Sequence, residues 1–251
     1  MKKIINISLW SISILLLLIT MGFVYREHNQ TLCKNIDIRI NYDQENFFVE
    51  KEDVISMIKE IRLSGVPLSV INYEHIETVI NSNPSIAKAE VYSTIAGDIK
   101  IDIEQRKPIM RIIANNPSMR FYIDEDGEKM PLSAKHTSRV LIVNGYVKTN
   151  MLNDLFNIAK YVNKNNFWKS QIQQIYINLN GEIELIPRVG RHKIILGDVS
   201  DPLLSVAEVM DDKFKKLMLL YKKGLNYTGW NKYKIINLKY KNQIVCTKIS
   251  L

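Results

Sequence analysis

The chain has 251 residues, 46% of them hydrophobic, which is enough for one large or two small packed domains beyond any targeting segment and too much for a disordered tail. The net charge of +8 is spread along helices and strand edges with no arginine-rich arm or recognition-helix pattern, so nucleic acid is excluded as a partner and a basic surface near an anionic membrane is the milder reading. Two cysteines, Cys33 and Cys246, are too few for a disulfide framework.

Ile4 to Tyr25 is an uncharged run behind Lys2 and Lys3. As one helix it would span a hydrocarbon core of about 30 Å, and the preceding lysines orient it with the N-terminus in the cytoplasm. Thr20-Met21-Gly22 could pass as a poor cleavage site, but the apolar run is longer than a signal peptide needs. We therefore expect residues 1–25 to be a cytoplasmic tip and retained membrane anchor, 26–34 a linker, and the rest to lie outside the membrane.

The alternation of Ile36-Asp37-Ile38-Arg39-Ile40 predicts a strand. Glu52 and Asp53 then open an amphipathic helix through Val54, Ile58 and Ile61, ending near Ser64-Gly65. Asn72 caps a second helix with Tyr73, Ile76, Val79 and Ile80 on one side. Two strands follow, Ala87, Ala89 and Val91 facing in on the first and Ile99, Ile101 and Ile103 on the second, across the turn Thr94 to Asp98. Residues 35–106 thus read as a small three-stranded α+β unit.

From residue 107 to 251 strands dominate. Phe121 to Ile123 and Met130 flank the turn Asp124-Glu125-Asp126-Gly127; Val140 to Val143 reads as a buried strand before Asn144-Gly145; a helix covers about Met151 to Asn163. Ile175, Ile177 and Leu179 alternate into Asn180-Gly181, and Ile183 and Leu185 out of it. After the strand His192 to Leu196, Asp201-Pro202 would start a long helix with Leu203, Ala207, Met210, Phe214, Leu217 and Tyr221 on one seam and Gly224 as its cap. Ile236 to Tyr240, a turn at Lys241-Asn242-Gln243, and Ile244 to Lys248 close the chain as strands.

No metal-binding histidine spacing, nucleophile motif or phosphate-cradling glycine loop is present, and Asp124 to Gly127 fits a hairpin turn better than a calcium loop. The sequence therefore predicts no catalytic residue, cofactor, metal or small-molecule substrate. It does offer binding surfaces. A last strand is expected at a sheet edge, open to a partner strand, with Tyr240, Ile244, Val245 and Thr247 as contact candidates and Trp230 and Tyr233 as weaker ones. The alternatives are that this strand and these aromatics simply finish the core. On the edge reading, Val245→Pro should remove a free donor and weaken partner binding more than folding.

Phe48-Val49 with Glu52-Asp53-Val54, and Asn83-Pro84-Ser85-Ile86-Ala87-Lys88-Ala89-Glu90-Val91-Tyr92, resemble the POTRA (polypeptide-transport-associated) domain of the FtsQ/DivIB family of bitopic bacterial cell-division proteins. Gly97-Asp98-Ile99-Lys100-Ile101 with Glu104-Gln105-Arg106-Lys107-Pro108-Ile109 resembles that family's passage into its β domain, and Phe121-Tyr122-Ile123-Asp124 with Gly127 and Met130-Pro131 the hairpin beyond it. Residues 150–190 match no sharp motif, and Asn237-Leu238-Lys239-Tyr240 has Asn and Lys where an Asp-Leu-Arg-Tyr type of run is common. The resemblance implies a non-enzymatic scaffold in the cytoplasmic membrane at the division septum. Its exported domain, in the periplasm, would bind FtsB-like and FtsL-like proteins and other divisome components, the former near the C-terminal strands. A membrane-anchored enzyme acting on peptidoglycan is the alternative.

Overall fold

The computed structural model describes residues 10, 12–20, 31–42, 47–197, 199 and 203–249. Much of the expected span, residues 4–9, 11 and 21–25, lies outside them, as do linker residues 26–30 and the cap Asp201-Pro202. Residues 12–20 are helical and expose Ile12, Ile14 and Leu15 to Ile19. Among the described residues no helix is long and apolar enough to cross a membrane.

Two compact units make up the chain, Met1–Gln105 and Arg106–Leu251. In the first, β1 (Ile36–Asn41), α1 (Lys51–Ile58), α2 (Tyr73–Asn81), β2 (Ile86–Ser93) and β3 (Ile99–Gln105) give a sheet ordered β1-β3-β2, with β1 parallel and β2 antiparallel to β3. Ile38, Ile40, Ala89, Val91, Ile99, Ile101 and Ile103 are buried with Val54, Ile58, Ile76 and Ile80 of the helices, each large side chain contributing roughly 1.5–3 kcal/mol. Asn72 caps α2 as the sequence predicts, its side chain accepting from the His75 N–H at 2.9 Å. The buried amide of Gln105 accepts from the backbone N–H groups of Phe48 and Val49 at 2.9 and 2.8 Å, fixing the approach to α1.

Three expectations change here. The first helix stops at Ile58, because the chain turns to bury Leu63 and to bond Gly65 and Val66 to Cys33. Ala87 is exposed, since a bulge between Ile86 and Lys88 shifts the alternation by one. Residues 31–34, expected as the end of a linker, are hydrogen-bonded into the unit on both sides.

The second unit is a nine-stranded mixed sheet in the order β12-β11-β10-β9-β8-β7-β4-β5-β6. Its strands are β4 (Pro108–Ala114), β5 (Arg120–Asp124), β6 (Lys129–Met130), β7 (Leu141–Gly145), β8 (Ile172–Ile177), β9 (Ile183–Pro187), β10 (Lys193–Ile195), β11 (Tyr233–Asn237) and β12 (Val245–Lys248). The pairs β4/β7, β7/β8 and β10/β11 are parallel, so each needs a long connection. Helices α3 (Leu152–Lys164) and α4 (Asn166–Gln171) join β7 to β8, and α5 (Val206–Leu220) with the turn after it joins β10 to β11. Leu155, Ile158, Ala159 and Val162 of α3 and Met210, Phe214 and Leu217 of α5 are buried in one core with Val143, Ile175, Leu185, Ile194 and Ile236 of the sheet.

Several boundaries move here too. The strand expected over Val140 to Val143 runs from Leu141 through Asn144-Gly145, and Ile142 is exposed because the strand has one core face and one open face. Leu179 sits on the hairpin turn, 77% exposed. The long helix begins at Val206, where Ser205 and Glu208 form a reciprocal capping box, and Leu203 is left 91% exposed. Gly224 does not end it. A π-turn, Tyr221–Leu225, buries Tyr221 and Leu225, one helical turn (α6, Asn226–Thr228) follows, and Gly229 at φ +93° ends the run. β11 is shifted toward the N-terminus of its expected range: the Asn237 side chain accepts from the Lys239 N–H at 3.0 Å and closes the strand.

Candidate partner-binding edge

β12 is the last strand of its sheet and pairs only with β11 among the described residues. Ile236 opposite Cys246 faces the core; Ile235 opposite Thr247 and Asn237 opposite Val245 face away from it. Val245 is 43% and Ile249 42% exposed, so the outer face of the edge is partly apolar.

Backbone direction follows from two bonds. The Leu238 N–H donates to Ile195 and the Ile249 N–H to Lys232, at 2.9 and 3.0 Å. In an antiparallel pair, alternate residues turn both backbone groups toward the same neighbour. Asn237 and its partner Val245 therefore point at each other, and so does Thr247 toward β11. Cys246 and Lys248 direct their N–H and C=O groups to the open edge. This corrects the expectation for Val245→Pro, which would remove a bond of the β11/β12 ladder instead of a free donor.

The six sequence-predicted residues separate into two groups. Val245 and Thr247 project from the edge strand, and Tyr240, 48% exposed, lies in the connection before it. Ile244, Trp230 and Tyr233 are half-buried against the core. Trp230 packs on Tyr221 with tilted rings, centroids 4.9 Å apart, and Tyr233 begins β11 opposite Lys248. The two aromatics thus complete the core beneath the edge.

Sequence reading missed the groups that hold this edge. The Lys213 ammonium is buried and donates to the carbonyls of Leu196 and Leu238, at 2.8 and 3.2 Å, where the parallel strands β10 and β11 end. Lys216 reaches the Tyr240 carbonyl at 3.4 Å. A signal existed: Lys213 stands three residues after Met210 and four before Leu217, on the apolar seam itself. Outside the core, Lys239 pairs with Glu182, which lowers the Glu182 pKa and raises that of Lys239 through their hydrogen bond.

Under the turn at Trp230, His192 is 3% exposed and lies 3.3 Å, Nε2 to hydroxyl, from Tyr221. Burial holds the imidazole below its usual range; its Nδ1 is buried without a hydrogen-bond partner, so the neighbouring Trp230 backbone opposes the shift only in part. Burial likewise pushes the Tyr221 hydroxyl up to about 12, a hydrogen bond from Gln171 opposing it. Cys246 is a free, half-buried thiol raised by burial. The raised phenol of Tyr221 and thiol of Cys246 stay protonated, and so are poor nucleophiles, at neutral pH, and among the described residues no cluster of His, Cys, Asp or Glu could hold a metal ion. The geometry offers a hydrogen-bonding edge.

No curated protein matches the chain. A model described as a POTRA-like domain matches residues 31–104, the first unit. A model described as FtsQ/DivIB, C-terminal related, matches residues 107–247, more than half the chain and up to the middle of β12. The chain belongs to the FtsQ/DivIB family of cell-division proteins.

Proposed function

We propose that this protein is a non-enzymatic division scaffold, anchored in the cytoplasmic membrane through residues 4–25 with its two folded units on the periplasmic side at the septum. Its C-terminal edge takes up an FtsB-like protein, in company with an FtsL-like one. The observation that carries the reading is the family match over residues 107–247, which runs into a strand with an open edge. Support for strand addition comes from the outward N–H and C=O groups of Cys246 and Lys248, flanked by the side chains of Val245 and Thr247. Each intermolecular backbone bond is worth only roughly 0.5–1.5 kcal/mol net, so the exposed apolar side chains have to add to them.

The test has two arms. Depletion of the protein should give filamentous cells, and the detergent-solubilised full chain should retain co-expressed FtsB-like and FtsL-like proteins on a column. Normal division on depletion, or no retention of either protein, would overturn the reading.

A further inference from the structure

We propose that the pole of the first unit at which the chain enters is a membrane-contact surface, formed by Ile95, Val70 and Leu32, that rests on the lipid headgroup boundary. This rests on the membrane-anchor reading above.

Residues 31–34 are held on two sides. Cys33 N–H donates to Val66, Gly65 N–H to Cys33 and Leu68 N–H to Thr31, each at 2.9 Å; on the other side Lys34 N–H donates to Gly97 at 2.9 Å. The bridge Leu32–Pro67 is antiparallel and the Leu68 N–H reaches Thr31, so the short 3-10 turn Leu68–Val70 begins beside Thr31 and Leu32. The β2–β3 turn flanks the opposite side. Lys34 Nζ donates to the Ala96 carbonyl at 2.9 Å, and Gly97 approaches so closely that a Cβ on it would come within 2.8 Å of the Leu32 oxygen.

Ile95 is 90% exposed, Val70 67% and Leu32 49%. A β-branched apolar residue at a hairpin tip is a poor choice for water, where turns favour Gly, Asn, Asp and Ser. The two loops, Ser69-Val70-Ile71-Asn72 and Thr94-Ile95-Ala96-Gly97, contain no charged residue. Lys34, exposed beside them, supplies a cation suited to anionic headgroups.

Chain length selects the occupant. The uncharged run ends at Tyr25 and, among the described residues, the bonds to the folded unit begin at Thr31, so residues 26–30 set the length of the tether. At about 3.5 Å per residue that tether reaches no more than about 18 Å. The headgroup zone takes up several ångströms of it on each side of the bilayer. An uncharged apolar tip so close to the hydrocarbon edge meets lipid before any soluble partner.

The test uses the full chain carrying Cys246→Ser, with buried Cys33 retained, in nanodiscs of phosphatidylethanolamine and phosphatidylglycerol. Nitroxide labels are placed at Ile95→Cys, Val70→Cys and, at the C-terminal end of α2, Ser82→Cys. Collisions with oxygen, which partitions into lipid, are compared with collisions with a water-soluble nickel chelate. The oxygen-to-nickel ratio should be several-fold higher at positions 95 and 70 than at 82. Equal ratios, in a chain that stays with the discs through an alkaline wash, would overturn the contact surface and leave the anchor standing. A chain that washes off would overturn the anchor reading and this inference with it.

Discussion

Lys213 donates its ammonium to the carbonyl of Leu238, 3.2 Å away and the last buried residue before the β11–β12 connection. The same nitrogen holds the Leu196 carbonyl, so one side chain of α5 ties down the ends of two parallel strands. Lys213→Met keeps the volume and removes the donor. Stripping buried carbonyls of a charged donor should cost about 1–3 kcal/mol, read as a lower urea midpoint with an unchanged slope. Amide exchange at Val245 and Thr247 should quicken in the same variant.

The Lys239–Glu182 pair makes the opposite case. Its side chains are 44% and 30% exposed, so solvent screens the pair and it adds little to stability. Lys239→Ala should leave the urea midpoint indistinguishable from that of the parent, despite the short bond. A loss as large as that of Lys213→Met would show that Lys239 has a role in holding the β10 and β11 ends.

The contrast between these two lysines explains what was legible in the sequence. Strands with one covered face announce themselves by alternation, as Ile99, Ile101 and Ile103 do, and caps such as Asn72 need only a few neighbouring residues. Long-range relations leave weaker traces. The start of α5 differs from the Asp201-Pro202 start that the sequence suggests: Leu203 and Ala207 continue the apolar spacing yet are exposed, while the Ser205–Glu208 capping box sets the observed start. The six edge candidates came from position near the end of the chain. Which of them lie over the core, and which backbone groups face outward, depends on the pairing register with β11, and that is fixed by distant β10.

His192 should give the fold a pH dependence. Its folded pKa lies below the unfolded value of about 6.5, so in that window the unfolded chain binds more protons than the folded one. Stability is complete above the unfolded value and is lost as pH falls from there through the folded value. The groups packed on the ring are Tyr221, neutral throughout this range, and the Trp230 backbone. Thermal midpoints of the parent should therefore fall between pH 7 and 5 more steeply than those of His192→Gln. Parallel curves would mean that the proton uptake on unfolding resides elsewhere.

Gly145 closes β7 at φ +92°, and a Cβ there would meet the Ile177 carbonyl oxygen at 2.2 Å. That carbonyl accepts the Tyr146 N–H at 2.9 Å, so neither strand can step aside without losing a bond. Gly145→Ala should cost more than about 2 kcal/mol. Gly181→Ala, also at positive φ but with nothing within 4 Å of the added carbon, isolates the backbone term and should cost about 1 kcal/mol. Equal losses in urea titrations would show that the approach to Ile177 carries no weight.

The docking edge can be tested by placing proline on either side of the backbone alternation. Val245 turns its N–H toward Asn237 on β11, whereas Lys248, exposed, turns its N–H to the open edge. Val245→Pro should break a ladder bond and reduce stability by roughly 1–3 kcal/mol, with partner binding lost through the unfolded strand. Lys248→Pro removes an outward donor that no β-strand of the described residues uses, so the urea midpoint should stay close to the parent. Binding of the co-purified FtsB-like partner should still fall several-fold, since strand addition needs that donor. The Lys248 charge is controlled by Lys248→Ala, which keeps the N–H and should keep most of the binding. If Lys248→Pro bound as well as Lys248→Ala while both remained folded, the outward edge of β12 would not be where the partner strand docks.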